Sequence, residues 1–216
     1  MTGGTTGTTS THRDVVQRPG VGTGRPPAGA SLHDALELLE RAIGYTRVQL
    51  QVVSPPMLAR VTPCVDWTLA DLLDHMAEGL DALTAAADLD GDLGRYARVA
   101  LAPSPVRVVD RLRERACSML GAWSAIAHDD AAVADRAGSS SLLACAGALE
   151  VAVHGWDVSQ TTGACEPLPA ALARDLVAWV DVLVGDADRP GRFDHPVAGP
   201  AVGPSSRLLQ LLGREP

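Results

Sequence analysis

The chain has 216 residues and a formal charge of −8, and every cation is an arginine. That length supports one globular domain with its own core. An acidic balance without a basic block argues against nucleic acid or an anionic membrane surface as partners. Apolar residues make up 46% but aromatics only 3%, so Ala, Leu and Val carry the core and favour helices over strands. The first thirty residues lack the apolar run of a signal peptide or membrane span. Cys64, Cys117, Cys145 and Cys165 are scattered without CxxC spacing and are expected as reduced thiols in the cytoplasm.

Residues 1–30 are expected to be a disordered N-terminal extension, since Gly, Thr and Pro bury too little apolar surface to offset the entropy of ordering. Residues 31–216 are expected to form the domain. Ser31 and Asp34 form a capped helix start, and Leu32, Leu36, Leu39, Ile43, Leu50 and Val53 recur at helical spacing until Ser54-Pro55-Pro56. A loop through Thr62-Pro63-Cys64-Val65-Asp66-Trp67 follows. Thr68, with Asp71 as its capping-box acid, opens a second helix whose apolar stripe is Leu69, Leu72, Leu73, Met76, Leu80, Leu83 and Ala87. The spacing predicts a third helix from Pro105 to Ala127, with Val106, Val109, Leu112, Ala116, Leu120 and Trp123 facing inward. It predicts a fourth from Ser141 to Thr162, stopped by Gly163. A fifth starts with Pro169 in its first turn and stops at Gly185. Residues 186–204 are expected as an extended Pro- and Gly-rich loop, and a last short helix spans Ser206 to Leu212. The fold class is therefore all-α, a bundle of four main helices with short additions.

The fourth helix carries the informative pattern. At about 100° per residue, apolar side chains occupy both flanks, and a polar stripe of Glu150, His154, Asp157 and Thr161 lies between them. Helices that are apolar nearly all round are usually buried, and buried carboxylates are costly without a partner. No arginine lies near them on this helix to pair with them. A metal ion is one way to satisfy the stripe, because Glu150 and His154, four residues apart, project from one face. Asp157, one turn on, is the candidate catalytic residue, orienting a ligand or a bound water or moving a proton. The alternative is a solvated face that binds nothing. His75 on the second helix is flanked by Gly79, Ala82 and Ala86, small residues that leave space for a cavity. It is either a surface histidine or a ligand facing that space. His12, His33, His128 and His195 are expected at the surface, Cys145 in the core, and Arg107, Arg111, Arg113 and Arg115 on a salt-laced exposed face with Asp110 and Glu114.

Two segments carry a family resemblance. Thr62-Pro63-Cys64, Trp67-Thr68 and Asp71-Leu72-Leu73 ending on His75 form the first. The second is Glu150-Val151-Ala152-Val153-His154-Gly155-Trp156-Asp157 with Thr162-Gly163. Both are similar to the signatures of the DinB-like metal-binding family, in the branch that includes the N-terminal domain of mycothiol-dependent maleylpyruvate isomerases. The closing run from Arg207 to Pro216 resembles those relatives too, so the likeness spans residues 32–216. It implies a DinB-like four-helix bundle with a short C-terminal helix, in which His75, Glu150 and His154 hold a divalent metal. That ion is expected to be zinc, with nickel, iron and manganese as the other candidates. It also implies a small-molecule substrate and a thiol such as mycothiol as cosubstrate, activated for isomerisation or S-transfer. A metal-dependent hydrolase, a biosynthetic enzyme and a non-catalytic metal-stabilised scaffold are the alternatives, and pairing into a homodimer is expected.

Overall fold

The computed structural model describes residues 22–27, 31–64, 66–87, 105–127 and 130–216. Among them are six α-helices and no strand: α1 (Leu32–Gln49), α2 (Leu69–Ala87), α3 (Pro105–Ala127), α4 (Asp130–Thr162), α5 (Ala170–Leu183) and α6 (Gly203–Leu211). The expectations for residues 1–21 and 28–30, and for the side chains of Ala86, Ala87, Val106, Arg107 and His128, lie outside the described residues.

Both expected capping boxes are present. Ser31 Oγ accepts from the Asp34 amide at 3.2 Å while Asp34 accepts from the Ser31 amide at 3.0 Å. Thr68 and Asp71 repeat the exchange at the start of α2, at 3.3 and 2.9 Å. In each case a side chain satisfies a backbone donor that the first helical turn leaves free. α1 ends earlier than its apolar spacing suggests, passing through 3₁₀ turns at Leu50–Val52 and Pro55–Met57. α4 begins at Asp130, well before Ser141. Its Ala-rich opening extends a helix already formed, which adds a hydrogen bond for each residue ordered and needs no apolar stripe. Gly163, at φ +84°, closes it in the left-handed conformation that glycine adopts without strain.

α1 lies along α4, while α2 packs against both α3 and α4. Leu39, Leu69, Leu72, Leu73, Met119, Trp123 and Leu149 are fully buried between them. On α3 it is Met119, rather than Leu120, that is fully enclosed; Ala116 and Leu120 are partly buried. Two glycines of α4 set the spacing. A Cβ at Gly147 would lie 2.5 Å from Leu83 Cδ1 on α2, and one at Gly155 would collide with Thr46 Oγ1 on α1. Their neighbours can therefore approach α4 closely on either side of Glu150. α5 packs beside α6, and its C-terminal end receives the chain near residue 22, where Gly22 N and Gly24 N donate to Val182 O and Asp181 O at 2.9 and 2.8 Å. No helix among the described residues is long and apolar enough to cross a membrane.

Candidate metal centre

The polar stripe of α4 faces the interior. Asp157 is fully buried, His154 and Thr161 nearly so, and the Glu150 side chain retains 23% exposure. The solvated-face alternative therefore fails, because α2, the loop before it and the segments that carry Arg192 and Arg214 cover this side of the helix.

His75 is half-buried on α2 and meets His154 edge to face, with ring centroids 5.2 Å apart. Trp67 packs on both rings, 4.7 Å from His75 and 6.4 Å from His154. It is held there by the loop before α2. Thr62 N donates to Trp67 O at 3.0 Å, and Arg60 Nη1 reaches back to Thr161 O at 3.1 Å near the end of α4. One ligand atom each from His75, Glu150 and His154 lies within 4.8 Å of the other two. The three line a cleft of about 1850 Å³, whose walls also include Trp67, Leu83, Leu112 and Val151.

The two nitrogens of His154 face different surroundings. Nδ1 is 3.0 Å from Asp157 Oδ2, and Nε2 is 3.3 Å from Glu150 Oε2. With the Nδ1 proton donated to Asp157, Nε2 carries its lone pair toward the carboxylate oxygen. Glu150 Oε2 is itself buried and makes no hydrogen bond. Two lone-pair atoms confronted in this way repel unless a proton or a metal cation sits between them. These residues fit a divalent ion: two imidazoles and one carboxylate are a donor set for zinc and its neighbours, with positions left open. Asp157 supplies the carboxylate behind the histidine that fixes its tautomer and ring orientation.

Without an ion, the charges follow the same logic. Burial alone would lower the pKa of His154, but the Asp157 carboxylate, the Cys64 thiol and Glu150 outweigh it and hold the ring well above its usual value. Burial would raise Glu150, yet His154 and the charges of Arg192 and His75 bring it down to about 2.

Three contributors were not assigned a role from sequence. Arg214, just past α6, forks onto Asp157 through Nε to Oδ1 at 3.2 Å and Nη2 to Oδ2 at 3.0 Å. Gly213, at φ +78°, aims it there, and a Cβ at that glycine would strike Asp194. Arg192, in the segment after α5, donates through Nε to Glu150 Oε1. Cys64 Sγ sits 3.3 Å from Asp157 Oδ2, 3.8 Å from His154 Nδ1 and 3.0 Å from Arg214 Nη2. Cys64, His154 and Asp157 form a second group of metal-type ligands, but the Arg214 guanidinium already supplies the positive charge there. The arginines that α4 lacks beside its carboxylates thus arrive from distant parts of the chain, where no periodicity could reveal them. Elsewhere, Cys145 is buried, and burial pushes its thiol up to about 12. Arg113 pairs with Asp110 at 3.3 Å, and Arg115 pairs with Asp81 of α2 at 3.0 Å.

An all-α bundle that gathers His75, Glu150 and His154 from two helices belongs to the DinB-like class of metal-binding proteins. Within that class, the chain belongs to the family described as the mycothiol maleylpyruvate isomerase N-terminal domain, which matches residues 39–159. No curated protein and no solved structure matches it.

Proposed function

We propose that the protein is a metal-dependent enzyme that activates a low-molecular-weight thiol of the mycothiol type for isomerisation or S-transfer to a small-molecule substrate. The observation that carries this reading is the buried Oε2 of Glu150, which makes no hydrogen bond and has only His154 Nε2 opposite it at 3.3 Å, at the edge of an open cleft. His75, Glu150 and His154 would hold the ion, zinc being the first candidate. When bound, it supplies Lewis acidity that lowers the pKa of a thiol or water in an open position.

The chain's own groups do the rest. Asp157 holds the Nδ1 proton of His154 and so points Nε2 into the site. Being fully buried, it acts through the histidine and is a positioning residue. Arg214 balances its charge, and Trp67 shields one side of both rings from water. Four free cysteines agree with a reducing compartment, the cytoplasm.

A scaffold without turnover is the second reading, favoured by how completely Asp157, Arg214 and Cys64 satisfy one another. Metal content of tag-free protein, beside His154→Ala, is the first test. Near-stoichiometric metal in the parent and its loss in the variant are expected. Parent protein still empty after incubation with zinc, nickel and iron would overturn the metal reading. Turnover of an electrophile only with added thiol separates the enzyme from the scaffold, and turnover with water alone identifies a hydrolase.

A further inference from the structure

We infer that Arg192 is a positioning residue that confines Glu150 to a single oxygen toward the ion, an inference that rests on the metal reading above. Arg192 meets Glu150 through Nε and only at Oε1, leaving Oε2 buried and without a hydrogen bond. A guanidinium free to move could fork across both oxygens; this one is held. Its Nη1 donates to Leu183 O at 3.3 Å and to Asp188 Oδ1 at 3.4 Å. The backbone amide of Arg192 donates to Asp188 O at 2.8 Å. The guanidinium carbon lies 5.0 Å from the ring centroid of the buried Phe193.

A carboxylate that binds an ion through both oxygens fills two coordination positions, and one that binds through a single oxygen fills one. For Glu150 to use both, Oε1 would have to share its lone pairs between the ion and a guanidinium that is fixed by two further acceptors and an aromatic face, and that draws its charge away from the ion. Arg192 therefore keeps open the position that a thiol needs. The sequence places it 42 residues from Glu150, in a segment whose Pro and Gly content suggests only a loop.

The test uses zinc-loaded full-length parent beside Arg192→Gln and Arg192→Lys. X-ray absorption counts the oxygen neighbours of the ion, and a crystal structure of the loaded parent locates them. Thiol affinity is read on cobalt-loaded protein by titrating 2-mercaptoethanol into the thiolate-to-metal charge-transfer band. In the parent, Glu150 should bind through Oε2 alone with Arg192 still on Oε1. Arg192→Gln should keep stoichiometric zinc, gain one oxygen neighbour and bind 2-mercaptoethanol about tenfold more weakly. Arg192→Lys should restore the parent values. A Gln variant with the parent's oxygen count and thiol affinity would overturn the inference. So would a loaded parent in which Glu150 uses both oxygens or Arg192 is displaced, a result that needs no variant to fold and leaves the metal reading intact. A parent that takes up no zinc overturns both.

Discussion

Glu150 and Asp157 lie two turns apart on α4, both beside His154 and both met by an arginine from outside the helix, yet they end in opposite states. Both oxygens of Asp157 are bonded to Arg214, and Oδ2 also faces His154 and Cys64. Glu150 gives Oε1 to Arg192 and keeps Oε2 buried without a hydrogen bond. A charge whose partners are complete is part of the architecture; one with a buried oxygen left over is available for a ligand. The difference lies in satisfaction, because both are carboxylates on the same helix.

The comparison breaks first if the closed side proves dispensable. Arg214→Met should cost about 3–5 kcal/mol, the usual penalty for leaving a buried charge without its partner. Thermal unfolding of metal-free protein should then shift down by roughly 10 °C for a chain of this size; a shift under a few degrees would mean that Asp157 finds another partner.

A paired measurement sharpens it. Glu150→Gln should abolish stoichiometric zinc uptake while costing the metal-free protein less stability than Asp157→Asn does, since this carboxylate is partly open to the cleft and Asp157 is fully buried. Asp157→Asn should retain zinc at affinity reduced about 10- to 100-fold, as for other groups that orient a histidine ligand, and should lose the larger share of stability. Equal losses in both variants would dissolve the distinction.

Acid titration separates the closed pair from its surroundings. Burial would raise Asp157, but the hydrogen bond from His154 and the charge of Arg214 hold its pKa below the ordinary 3.8. Its folded value lies under its unfolded value, so the stability it contributes is present above pH 3.8 and is lost as pH falls through the folded value. Denaturation of metal-free protein should show the gap between parent and Arg214→Met narrowing over that acid range. A gap independent of pH would mean that Arg214 acts by packing alone.

The smallest effect is expected at Gly155, between the two carboxylates. Gly155→Ala drives a methyl group into Thr46 Oγ1, which donates to Val151 O at 2.7 Å. Forcing α1 away from α4 should cost about 1–3 kcal/mol, the usual range for overpacking, visible in the denaturation midpoint. If α1 also helps shape the Glu150 side, zinc affinity should fall with it.

Much of this molecule is local, and local features are legible in the chain itself. The Ser31–Asp34 and Thr68–Asp71 boxes, the α2 stripe, the bounds of α3 and the Gly163 stop each depend on residues within one or two turns, where helix geometry alone dictates who meets whom. The i, i+4 pair Glu150 and His154 is legible for the same reason. The early start of α4 was hidden because propagation of a helix leaves no apolar signature. Tertiary structure alone decided that the polar stripe is buried, that His75 turns toward it, and that Arg192 and Arg214 divide the two carboxylates between them. Those contacts join residues 42 to 79 positions apart, and only the packing of α2 and the two loop segments around α4 brings them within bonding distance.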